Sequence, residues 1–293
     1  MTWFVLATCS AILSAASAIL QKKILFRLTA LEFSFLLSVV ILLLSLFVPF
    51  SVDVVSIPAS TLIILIGKSI LGGMAFLLVM MSLQHNQISS ALPLLGLTPG
   101  AAALLAMMLL GESLRPWEWA GIGLMMAGTY TLEIRPGQEI FQPFKNIFGT
   151  KKYYYIYGAV GLFAVSSVAD RMLVSSYRVD PLVVLFYQHI VYCAVFGLQL
   201  LLHKSSFPAA LEKSKGQFLF VFTVALFTVA YRFTQLEATK LAPVALVLAV
   251  KRTSILYATF FGGKIFSDDR LYVKLLAGIL IVISGFIILR NVG

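Results

Sequence analysis

The sequence predicts an all-α membrane protein of ten transmembrane helices arranged as two inverted five-helix repeats. Three observations predict it. The chain is 60% hydrophobic and only 12% charged, with a mean hydropathy of +0.98, whereas a soluble domain would be about a quarter charged. Apolar stretches of roughly 20 residues, the length a bilayer requires, follow one another almost without interruption. Breaks with similar residues recur at matching places in the two halves.

In chain order the spans are 2–21, 30–49, 60–83, 88–110, 116–134, 154–177, 181–203, 216–237, 241–262 and 271–290. The first has no basic n-region and no clear cleavage site, so it reads as a retained span. Turn chemistry or charge separates the others: Gln21-Lys22-Lys23, Val48-Pro49, Gly111 to Arg115, Arg178 to Pro181, and Ser267 to Arg270. In span 4, Pro93 and Pro99 break the backbone ladder, and Gly96 and Gly100 permit close helix approach. The longest break, 135–152, holds Pro136, Gly137 and Pro143. It separates a first repeat (1–134) from a second (153–293).

The repeats share local pattern. Ser82-Leu83-Gln84 ends span 3 as Gln235-Leu236-Glu237 ends span 8, and Gly111-Glu112 after span 4 corresponds to Gly263-Lys264 after span 9. An odd number of spans per repeat inverts the second relative to the first, which places a substrate site near the midplane between them. Cys9 and Cys193 fall within spans, so no disulfide framework is expected.

The intramembrane charges carry the functional argument. Lys251 and Arg252 lie side by side halfway along span 9. A charge at that depth costs about 2.5–3.5 kcal/mol on insertion scales, so it calls for a partner or a watery cavity. Lys68 in span 3, Arg171 in span 6 and Arg232 in span 8 are also intramembrane. At 1.5 Å per residue, Lys68 lies roughly 12 Å from one face, Arg171 about 9 Å, Arg232 about 8 Å and Lys251 about 15 Å. Gln188 and His189 of span 7 reach a similar depth, roughly 11 Å. Asp170 is the one acid clearly in this layer, and it is expected to pair with a base on another helix. Adjacent Arg171 is an awkward partner, because neighbouring helical side chains diverge by about 100°. For the same reason one of Lys251 and Arg252 is expected to face the cavity and the other a structural partner. The excess of cations predicts an electropositive pocket, the signature of an anion site. Lys251, Arg252, Lys68, Arg232, Gln188, His189 and Tyr231 are the expected substrate-binding residues. Asp170 and Arg171 are the expected charge-compensating or coupling residues. The bland readings are snorkelling for Arg171 and Arg232, helix-contact hydrogen bonding for His189, and surface or capping roles for Glu112 and Glu118.

The stretch Ile88–Thr131, with Pro99, Gly111-Glu112, Gly121 and Gly128, resembles the drug/metabolite transporter superfamily, specifically its EamA-type members. The resemblance extends over essentially the whole chain; the second half departs from it at Lys264, where the pattern has an acid. It implies a secondary transporter. The Lys251-Arg252 pair is also similar to one in the ninth span of the phosphate-sugar and nucleotide-sugar branches, where it binds substrate phosphate. A guanidinium offers phosphate a bidentate fork and an ammonium a point charge.

The expected function is secondary transport of a small organic anion, phosphorylated metabolites included, by alternating access. The cavity is expected mainly from spans 3, 4, 6, 7, 8 and 9. The alternative is an exporter of amino acids or other small metabolites driven by a proton gradient, with Asp170 or His189 handling protons. A lipid-phosphate flippase is a variant of the first reading, and a partner subunit or receptor is a non-transport class. No HExxH, glycine-rich phosphate loop or Gly-x-Ser-x-Gly occurs, so an enzyme, a metal site and a cofactor are not expected. The net charge of +10 reads as loop charge and site lining, not nucleic-acid binding. The expected partners are the small-molecule substrate and the lipid bilayer of a prokaryotic inner membrane, with a homodimer as an allowed assembly. Call side A the side of the loops bearing Lys22, Lys23, Arg27, Lys151 and Lys152. The opposite side B bears Arg115, Arg178, Lys240 and Arg290. The charge bias places side A in the cytoplasm and both termini outside. The family resemblance implies cytoplasmic termini, and both orientations stay open.

Overall fold

The computed structural model describes residues 2–85, 92–131, 151–202, 212, 215–265, 280, 283–284 and 287. Among them the chain is helical, with no strand. We number the helices α1 (Thr2–Ile24), α2 (Ala30–Leu44), α3 (Ala59–His85), α4 (Thr98–Leu110), α5 (Pro116–Thr131), α6 (Lys151–Arg171), α7 (Pro181–Leu202), α8 (Phe218–Leu241) and α9 (Val244–Ile265). They correspond in order to the first nine expected spans. Most of the tenth, most of the break at 135–152, and Asp268-Asp269 lie outside the described residues.

Among the described residues, six helical segments are long and apolar enough to cross a membrane: Thr2–Ile24, Ala30–Ser51, Ala59–His85, Tyr154–Ser176, Pro181–Leu202 and Phe218–Leu241. The chain is therefore a multi-pass integral membrane protein. Span 4 is divided: a 3₁₀ turn over Pro93–Leu97 leads into the 13-residue α4. Two prolines six residues apart explain the division, because each removes a donor and crowds the preceding turn. α5 has 16 residues. α9 has 22 but carries Lys251 and Arg252 at its centre.

The ends follow local chemistry. Thr29 and Glu32 form a reciprocal capping box at the start of α2, satisfying two otherwise orphaned donors. Gly111 ends α4 in the left-handed conformation, φ 66°, which glycine adopts without steric cost. α6 ends in a π turn over Met172–Ser176, immediately after Asp170-Arg171. Such wide turns are frequent at functional sites.

α1 lies against α8 and α9, while α6 lies against α3 and α4. α2 contacts α7 and α8, α3 contacts α7, and α4 contacts α9. Among the described residues, four apolar clusters result. One joins α1, α2, α3, α7 and α8 around Phe33, Met80 and Phe196. A second seats Trp3 and Ala7 of α1 on α4, α5 and α9. A third, Leu65, Leu173, Val174, Val184, Leu185 and Leu236, fills the side-B end between α3, α6, α7 and α8. A fourth joins α4, α6 and α9 through Ala102, Ala106, Val168 and Leu248.

Candidate functional site

A cavity of about 130 Å³ opens between α1, α2, α3, α6, α7, α8 and α9, with Leu92 and Leu95 closing one wall. Its lining includes Asp170, Gln188, His189, Tyr231, Arg232, Lys251 and Arg252. Burial alone does not require a cavity here; the charges do, since each needs a polar partner or water at this depth.

Asp170 organises the charged end. Its Oδ1 accepts from Lys68 Nζ at 2.7 Å and its Oδ2 from Arg232 Nη2 at 3.0 Å. Gln188 Oε1 accepts from the same two bases, at 2.8 Å and 2.9 Å. Four side chains from α3, α6, α7 and α8 thus form a closed ring of charge-assisted bonds. Lys68 is 2% exposed and sits behind Asp170, so it does not line the cavity. Its backbone carbonyl accepts from Ser166 Oγ at 3.1 Å.

Lys251 and Arg252 have a different environment. Lys251 Nζ donates to Gln235 Oε1 and lies 4.6 Å from the centroid of the Tyr231 ring, a cation–π arrangement. Arg252 Nη2 donates to Thr98 Oγ1 at 3.0 Å, and its Nε has no hydrogen-bond partner among the described residues. Among the described residues, no carboxylate pairs with either. Both line the cavity, where the sequence had placed only one of them. Gln235 joins the two groups, since it also accepts from Arg232 Nη1 at 3.2 Å.

The remaining expected residues are placed as follows. His189 lines the cavity but its Nδ1 is 2.8 Å from the Leu185 carbonyl. Its ring lies beside Tyr192, 5.4 Å between centroids. Arg171 points away from the cavity: its Nε donates to Glu112 Oε1 at 2.6 Å, and its Nη1 donates to the Thr239 carbonyl. Glu112 Oε2 accepts from Val244 N at 3.3 Å, capping α9. The 100° divergence of consecutive side chains therefore sends Asp170 into the charged ring and Arg171 to a separate side-B contact.

The sequence reading missed Gln235, Thr98 and the contribution of α1 and α2, which line the cavity through Ser14, Gln21, Ser34 and Ser38. Gln235 carried a signal, since it follows Arg232 by three positions and so shares its face. Thr98 is set by the proline break: it starts α4 at the level of Arg252. Gly72 and Gly73 are close-packing positions. A Cβ at Gly72 would lie 2.8 Å from Tyr192 Oη, and one at Gly73 3.1 Å from Tyr192 Cδ1. At Gly67 a Cβ would meet nothing within 4 Å.

Residues 1–133 match the model of the EamA-like transporter family. That stretch is thus similar to EamA-like membrane transporters, and the match covers somewhat less than half of the chain. A protein of solved crystal structure shares the fold, with a TM-score of 0.63 at 20% identity over 98% of this chain and 93% of that one. No curated protein matches the chain.

Proposed function

We propose that the protein is a secondary transporter of a small organic anion, phosphorylated metabolites included, working by alternating access between two inverted five-helix repeats. One observation carries the substrate class. Asp170 is engaged by Lys68 and Arg232, which among the described residues leaves Lys251 and Arg252 in the cavity with neutral partners only. An incoming anion supplies the missing countercharge. It takes the free donors of Lys251 and Arg252 first, then competes with Asp170 for Arg232, so Asp170 holds the charge balance while the site is empty.

The pattern of helix contacts supports the repeat. Relating each helix to the one five positions later maps α1 on α8 to α6 on α3, and α1 on α9 to α6 on α4. The same relation maps α2 on α8 to α7 on α3, and returns α2 on α7 and α4 on α9 to themselves. A two-fold relation between halves has this consequence. The reading places the protein in a prokaryotic inner membrane with one substrate path per chain, whether or not two copies associate.

The test is flux. Reconstituted in liposomes, the wild-type protein is expected to exchange a phosphorylated metabolite across the bilayer. Lys251→Gln/Arg252→Gln should lose at least tenfold while keeping its thermal stability. A stable double variant with undiminished flux overturns the assignment. Uptake of amino acids that follows a pH gradient and survives the double substitution would be the behaviour of a proton-driven exporter instead.

A further inference from the structure

The cavity is chemically two-ended. Its charged end, on Arg232, Lys251 and Arg252, lies near the middle of α8 and α9. From Gly72 its wall runs along α3 toward side A through Phe76, Val79, Met80 and Leu83, over about one to three turns. Leu37 of α2 and Leu95 of the 3₁₀ turn complete this apolar end.

Three polar side chains on the α1 and α2 walls are already engaged. Ser34 Oγ donates to the Ala30 carbonyl and Ser38 Oγ to the Phe35 carbonyl, each at 2.7 Å. Gln21 Nε2 donates to Ser17 Oγ at 2.9 Å. A sugar seated against α2 and α3 would exchange hydration for a wall on which Ser34 and Ser38 have already spent their donor hydrogens. Each hydroxyl left unpaired lowers affinity by about tenfold. A hydrocarbon body gains in the same place, because burying apolar surface is favourable in proportion to area.

We propose that the substrate is an amphiphilic organic anion, with one carboxylate or phosphate head on Lys251 and Arg252 and an aliphatic or aromatic body along α2 and α3. The inference rests on the anion reading above and narrows it.

The test uses the full chain in lipid nanodiscs, titrated calorimetrically with empty nanodiscs subtracted. The ligands are inorganic phosphate, glucose 6-phosphate, n-alkyl phosphates from methyl to octyl, and n-alkanols of the same lengths. Affinity of the alkyl phosphates should rise about threefold to fourfold per methylene. Alkanols should bind at least tenfold more weakly than alkyl phosphates of equal length, and glucose 6-phosphate no tighter than methyl phosphate. Phe76→Asn should flatten the chain-length slope, and Ile255→Thr on the facing wall serves the same purpose if the first variant does not fold. Competition by a dialkyl phosphate built into the bilayer assigns the source to membrane lipid, and its failure assigns it to water-soluble amphiphiles; the proposal holds in both cases. Glucose 6-phosphate binding tighter than octyl phosphate, or a wild-type slope in both variants, overturns the amphiphile and leaves the anion site standing. Alkanols binding as tightly as alkyl phosphates overturn the anion reading itself.

Discussion

The Asp170 carboxylate holds two cations at once, at a side-chain exposure of 3%. Removing one member of a buried pair strands the others, at a cost of about 3–5 kcal/mol, whereas removing a complementary pair together is often close to neutral. Asp170→Asn should therefore destabilise the protein strongly, and Lys68→Met added to it should recover a large part of the loss. Thermal unfolding of the three proteins checks this; a double variant no more stable than Asp170→Asn alone would mean that Lys68 is not the stranded charge. These residues were legible in the sequence for one reason: a charge in an apolar stretch has no bland alternative as cheap as a partner. The identity of the partner was not legible, because Lys68 and Asp170 are 102 positions apart. Single serines such as Ser34 and Ser38 gave no signal, since a hydroxyl bonded to its own helix is equally at home facing lipid.

At the scale of elements, two local breaks place the chemistry. The prolines of span 4 stop it being one helix and set Thr98 at the head of α4, against Arg252. The glycine pair of α3 admits the Tyr192 ring beside the cavity. Gly72→Ala should displace Tyr192 and lower stability by about 1–3 kcal/mol, the usual cost of overpacking. Gly67→Ala, in open space, should be neutral or slightly stabilising, because alanine is the better helix former. Melting temperatures that fall equally for both would remove the packing role given to Gly72. The prolines and glycines were readable as breaks and close contacts. Which side chain each would admit depended on α7, and hence on tertiary packing.

For the whole molecule, the asymmetry between the two sides matters most. On side B the cluster around Leu65, Leu173, Val184 and Leu236 fills the space beyond the charged ring, and Arg171–Glu112 ties the ends of α4, α6, α8 and α9. The cavity lining instead extends toward side A as far as Gln21, Leu83 and Leu92. Under the alternating access proposed above, the Arg171–Glu112 contact must break when side B opens. With Cys9 and Cys193 replaced by serine, a cysteine at position 248, made by Leu248→Cys, should react faster with a thiol reagent from side B once Glu112→Gln is introduced. An unchanged rate would mean that the contact does not hold side B shut. Six of the expected spans are, among the described residues, helices long and apolar enough to cross a membrane, whereas this asymmetry needed the positions of Arg171 and Glu112, which a linear pattern reads as span-end charges.

The most direct test of the anion site is thermal stabilisation of the purified protein by a ligand panel, with phosphorylated compounds beside neutral and zwitterionic metabolites. The same panel is applied to Lys251→Ala/Arg252→Ala. The account predicts stabilisation by phosphorylated ligands that disappears in the double variant, with the unliganded melting temperatures of the two proteins similar. Equal stabilisation of both proteins, or stabilisation of both by amino acids alone, would contradict it.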